Sequence, residues 1–142
     1  MDGATGCNNP VNELWTEAQY VWPETDLRDN IQCMVSIGTG ESADAPFVDY
    51  PLEIVATLKA IALETESTAK TFAHHHGRLI DEKKYFRFSV VKGLEHVGLH
   101  EYTKEATIIA ATKKYSEDRA VFKNLEACAK NLRDRESWLS FA

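Results

Sequence analysis

The sequence predicts a helix-rich α/β fold, and three observations carry that prediction. The stretch IQCMVSIG, residues 31–38, is short, mostly apolar and closed by Gly38, as suits a strand covered on both faces. The stretch KYFRFSVV, residues 84–91, sets aromatic residues against charged and polar ones and reads as a second strand, at or near a sheet edge. Elsewhere apolar residues recur at helical spacing.

The first helix is expected to start at Asn9-Pro10, with Asn9 as the cap and Pro10 in the first turn. Its apolar stripe is read as Leu14, Ala18, Val21 and Trp22, and Pro23 ends it. Trp15 and Trp22 are read as core or half-buried aromatics. PETDLRDN then reads as an exposed loop, and TGESADAP after the first strand as another. A long helix is expected from about Pro51 to His74, burying Leu52, Val55, Leu58, Ala62, Thr65, Ala69 and Phe72. In the second strand Tyr85 or Phe86, with Phe88 and Val90, is expected to point inward. GLEHVGL reads as a loop or short turn. Two helices follow, about Tyr102 to Ser116 and Ser116 to Arg133, turning Ile108, Ala111 and Tyr115, then Val121, Leu125 and Cys128, inward. Two strands do not make an independently stable sheet, so part of the sheet is expected to be absent.

A chain of 142 residues is long enough for one domain. Its 44% hydrophobic and 27% charged residues are ordinary for a globular protein and exclude a disordered one. With 22 acidic against 16 basic residues the net charge is -6, which leaves no basic footprint for nucleic acid. The three cysteines, Cys7, Cys33 and Cys128, form no C-x-x-C and are odd in number, so they read as reduced thiols of the core. No apolar run reaches the length of a membrane span, and no signal peptide opens the chain. The expected location is the cytoplasm, including the surface of membranes or lipid droplets.

Few residues could carry chemistry. Neighbours in His74-His75-His76 point about 100° apart on a helix and cannot converge on one metal ion, so the run reads as a solvated helix end suited to the dipole there. His96 and His100 lack the H-E-x-x-H arrangement. The ETESTAK segment reads as the exposed face of a helix. G-x-S-x-G is absent, Ser36 lies in the body of a strand, and the GTG that follows falls short of any phosphate loop. No cofactor or metal is expected. What remains is Asp2-Gly3-Ala4, which alone reads as a turn.

Taken in order, DGATGCNNPVNELWTEAQ, IQCMVSIGTG, LKAIALETESTAKTF and YFRFSVVKGLEHVGLHEY resemble patatin-like phospholipase domains, closest to the fungal intracellular kind. The resemblance implies the C-terminal part of a three-layer α/β-hydrolase-type fold. It also implies hydrolysis of lipid acyl esters by a serine–aspartate dyad, part of lipid degradation. Asp2 would be the dyad aspartate and general base, with Gly3 and Ala4 completing its motif. In that family the glycine-rich oxyanion loop and the serine elbow precede this motif, and neither occurs here. The expectation is therefore a partial domain, inactive by itself. The alternative is a non-enzymatic interaction or regulatory module that pairs with an N-terminal half or a full-length homologue.

Overall fold

The computed structural model describes residues 7–40, 52–94, 97 and 102–134. In chain order these form α1 (Val11–Val21), α2 (Leu27–Asn30), β1 (Met34–Ile37), α3 (Leu52–His75), α4 (Gly77–Asp81), β2 (Tyr85–Phe88), a 3-10 turn (Tyr102–Lys104), α5 (Glu105–Glu117) and α6 (Arg119–Arg133). The helix-rich α/β character is as the sequence predicts. Both strands fall inside the expected segments but are only four residues long.

β1 and β2 pair in parallel, Met34 opposite Tyr85 and Ile37 opposite Phe88. A parallel pair needs a long crossover, which α3 and α4 help to supply. Among the described residues the sheet has no other strand.

Register decides which residues meet in the core. Met34 and Tyr85 lie on one face of the sheet, and there they join Val11, Trp15, Leu27, Phe72 and Leu79 in a single cluster. Phe72 is fully buried, with its ring 6.0 Å from that of Trp15 and 5.1 Å from that of Tyr85. Burial of such a side chain stabilises the fold by roughly 2–3 kcal/mol. The other face carries Phe86 and Phe88, whose rings lie parallel at 6.3 Å. Toward it come α6, which packs on β2, and α5, whose Tyr115 hydroxyl accepts from the Ser89 amide at 3.2 Å.

Several expectations are corrected. α1 buries Val11 and Trp15 with Ala18 beside them, so the inward stripe is Val11–Trp15–Ala18. Leu14, Val21 and Trp22 are exposed, Trp22 by 56%. Pro10, not Asn9, occupies the cap position of α1, because the Asn9 side chain is spent on a contact to α3. PETDLRDN is not wholly loop: the Asp26 carboxylate accepts from the Arg28 amide, caps α2 and lets Leu27 enter the core. β1 is not covered on both faces by the described residues, since Ile37 is 80% exposed. Tyr85 and Phe86 are both buried, one on each side of the sheet.

α3 ends within one residue of the expected place and buries Ala69 and Phe72 as predicted. Leu52, Val55, Leu58 and Ala62 lie outside the residues whose side chains are described. α5 and α6 break at Asp118, whose carboxylate accepts from the amides of Ala120 and Val121 at 2.9 and 3.2 Å. Ala111 and Cys128 face inward as expected, with Tyr115, Val121 and Leu125 half-buried.

Between α4 and β2 the chain reverses through Lys83, which takes a left-handed φ of 57°. The amides of Lys83 and Lys84 donate to the carbonyls of Ile80 and Leu79, so the turn closes the end of α4 and starts β2 at once.

Candidate functional site at the carboxyl end of the strands

Open α/β sheets hold ligands at the carboxyl ends of their strands, because loops and helix ends converge there. At this end of β1 the chain passes through Gly38, Thr39 and Gly40, and β2 brings Arg87 opposite Ser36. One guanidinium nitrogen of Arg87 donates to Ser36 Oγ at 2.9 Å and another to Glu66 Oε1 at 2.6 Å. The Gly38 position is open for a reason: a Cβ there would lie 2.6 Å from Ser89 Oγ and 3.1 Å from an Arg87 nitrogen.

The segment entering α1 closes the site from the other side. Asn8 Nδ2 donates to Thr65 Oγ1 at 2.6 Å, and Asn9 Nδ2 donates to the Thr65 carbonyl at 3.1 Å. Asn9 is the buried polar residue of the described chain, so its bond to α3 offsets the cost of its burial. The result is a cavity of about 190 Å³ whose lining combines polar residues, Asn8, Ser36 and Arg87, with apolar ones, Val11, Leu14 and Ile37.

The arrangement can receive a small group that carries both polar and apolar parts. It cannot by itself activate a nucleophile. Ser36 Oγ accepts from a guanidinium, which never takes up a proton, and the Glu66 carboxylate is engaged by that same guanidinium. Beneath Ser36, burial pushes the Tyr85 phenol above its ordinary range, opposed by the nearby Ser36 hydroxyl and the Arg87 charge. A larger cavity, about 360 Å³, lies between α1 and α2 against Gln19, Glu24, Asp26 and Arg28. Asp26 is already engaged there as a helix cap, and no reactive pair forms.

Asp2, Gly3 and Ala4 lie outside the described residues, as do His96 and His100. The described part of the same stretch, Asn8-Asn9-Pro10, lines the smaller cavity together with Ser36, Ile37, Gly38 and Thr39. The structure thus brings the N-N-P and S-I-G-T segments together. His74 and His75 are exposed at the end of α3, as expected. His76 is not a solvated helix end: its ring packs 4.4 Å from that of Trp15 and 4.3 Å from that of Phe72. Among the described residues no group of three or more His, Cys, Asp or Glu side chains could hold a metal ion.

Arg87 and Glu66 were not among the expected site residues. Glu66 belongs to the ETESTAK segment read as an exposed face, yet Thr65 and Glu66 are half-buried. The available signal was Arg87 itself, a cation in the middle of an aromatic strand, which needs a partner when that strand is covered. No family model matches the chain, and neither a curated protein nor a solved structure shows a significant similarity to it.

Proposed function

We propose that this chain serves a lipid acyl hydrolase of the patatin-like kind, to which it contributes the aspartate of a serine–aspartate dyad from Asp2. The observation that supports this reading is the convergence of Asn8-Asn9-Pro10 and Ser36-Ile37-Gly38-Thr39 on one cavity at the carboxyl end of a parallel strand pair. These are two of the segments that carry the resemblance, and a cavity lined by both polar and apolar residues suits an acyl ester.

In this reading Asp2 takes the proton of a serine hydroxyl as it attacks the ester carbonyl. Backbone amides stabilise the oxyanion, a contribution of about 3–4 kcal/mol per donor. Water then hydrolyses the acyl-enzyme and releases a fatty acid. The 142 residues hold no G-x-S-x-G, so the nucleophile and the oxyanion loop come from elsewhere.

The test is turnover of short- and long-chain acyl esters by the chain alone and by the chain combined with a separately expressed segment carrying G-x-S-x-G. The expected result is no turnover alone, turnover in combination, and its loss with Asp2→Asn. Turnover by the chain alone, or turnover in combination that survives Asp2→Asn, would overturn the reading.

A second reading, a non-enzymatic module that docks on an N-terminal half or a full-length homologue, is favoured by one observation. β1 is paired on one side only among the described residues, and its Ile37 is 80% exposed. An unpaired, apolar strand edge is a template for another strand. This reading predicts a complex that Ile37→Lys weakens, with no esterase activity in any combination.

A further inference from the structure

We infer that Cys33 and Cys128 form an oxidisable pair, able to close an intramolecular disulfide that staples α6 to the start of β1. Their sulfurs lie 3.9 Å apart although the residues are 95 positions apart in the chain. Cys33 is half-buried in the extended segment leading into β1, and Cys128 is the buried residue of α6. Neither sits alone: one turn along α6, Asn131 Nδ2 donates to the Lys83 carbonyl at 2.6 Å and to the Gln32 carbonyl at 3.4 Å. These bonds hold the helix against the residue that precedes Cys33, so the two sulfurs stay opposed. A disulfide bond is about 2.05 Å long, so closing from 3.9 Å asks for a sulfur displacement of about 2 Å.

The chemistry balances with a small disulfide oxidant such as oxidised glutathione. Cys33, the more accessible thiol, loses its proton and attacks one sulfur of the oxidant, releasing one glutathione thiolate that is then protonated. Cys128 loses its proton, attacks the Cys33 sulfur of the mixed disulfide and expels the second glutathione. Two protein thiols are oxidised and one disulfide is reduced to two thiols. Burial, and then the contact with Cys128, push the Cys33 thiol up to about 12, so the first attack draws on a small thiolate fraction and is slow at neutral pH. The remaining thiol, Cys7, rests beside Glu13, far from this pair in the chain, and serves as an internal control. The pair sits at the amino end of β1, whereas the cavity lies at its carboxyl end, so the inference does not depend on the proposed activity.

The test is to incubate the folded chain with oxidised glutathione at about pH 8.5, near the ordinary thiol pKa, then alkylate, digest and weigh the peptides. The expected product joins the Cys33 and Cys128 peptides with the loss of two hydrogens, leaving Cys7 as the alkylated cysteine. Because the bond closes a long loop, the thermal midpoint should rise by roughly 10 °C and fall back with dithiothreitol. Cys7→Ser should behave identically, and Cys33→Ser should show no rise. A persistent glutathione adduct on Cys33 with Cys128 still alkylatable would overturn the inference, as would a cross-link through Cys7 or between chains. The peptide linkage in the unsubstituted protein decides the matter even where a variant folds poorly.

Discussion

Arg87, in the middle of β2, donates to Glu66 of α3 at 2.6 Å and to Ser36 of β1 at 2.9 Å, joining helix and both strands through one guanidinium. The side chains of Arg87 and Glu66 are 15% and 25% exposed, so the pair is partly shielded from solvent. Arg87→Ala leaves a carboxylate and a hydroxyl half-buried without this donor and should cost about 2–3 kcal/mol. A double-mutant cycle with Glu66→Gln, read by urea denaturation, should return a coupling of about 1–2 kcal/mol. Arg78, which pairs with Asp29 and Glu82 at the surface, sets the contrast: its replacement by Ala should leave stability unchanged within error. Equal effects at Arg78 and Arg87 would show that burial of the Arg87 pair does not matter.

His76 should make the fold acid-sensitive. Its ring packs against Trp15 and Phe72, and burial, then the charges of Arg28 and His75, hold its pKa below the ordinary histidine range. The unfolded chain therefore takes up the proton first as pH falls. Stability is complete above about 6.5, the unfolded value, and is lost as pH falls from there through the folded value. Thermal midpoints measured between about pH 7.5 and about pH 5 should fall toward the acid side. In His76→Phe that decline should be smaller, and an unchanged slope would assign the acid sensitivity to other groups.

The core prediction separates two aromatic residues that the sequence treats alike. Phe72 touches Trp15, His76 and Tyr85 and is fully buried, so Phe72→Ala should cost about 3–5 kcal/mol. Trp22 is 56% exposed at the end of α1, and Trp22→Ala should change stability by less than about 0.5 kcal/mol. Denaturation midpoints of the two variants, at constant slope, measure the difference.

That contrast marks what the sequence could and could not express. The period of α1 is plain, but two stripes share Ala18: Leu14–Ala18–Val21 and Val11–Trp15–Ala18. Only the position of Phe72 on α3 selects the second. Both strands were legible because β-branched and aromatic residues crowd into short runs, yet their length was overestimated: the paired register runs only from Met34 opposite Tyr85 to Ile37 opposite Phe88, with the Gly38 amide donating to the Phe88 carbonyl at its end. The site was less legible. N-N-P and S-I-G-T entered the sequence reading only as successive pieces of the resemblance, with Ser36 set aside as strand body, and the fold brings them to one cavity. The Glu66–Arg87 contact was missed because Glu66 sits beside the predicted buried stripe of Thr65 and Ala69, and only the pairing of β1 with β2 brings Arg87 to that flank of α3. Asp2 lies outside the described residues, so its part rests on the enzymatic test.

The last prediction concerns Lys83, whose φ of 57° is left-handed and places its Cβ close to the following carbonyl. The conformation is held from three sides. Lys83 donates to the Ile80 carbonyl, the next amide reaches the Leu79 carbonyl at 2.7 Å, and the Lys83 carbonyl accepts from Asn131 on α6. None of these bonds uses the Lys83 side chain. Glycine carries no Cβ penalty at such a helix end but gains freedom in the unfolded chain. The relief of about 1 kcal/mol should exceed the entropic loss, so Lys83→Gly should stabilise the protein by about 0.5 kcal/mol. Lys83→Val, β-branched in the same conformation, should destabilise it by more than about 1 kcal/mol. Chemical denaturation of both variants gives the sign of each. If Lys83→Gly is destabilising, the backbone of this turn is not where the strain lies.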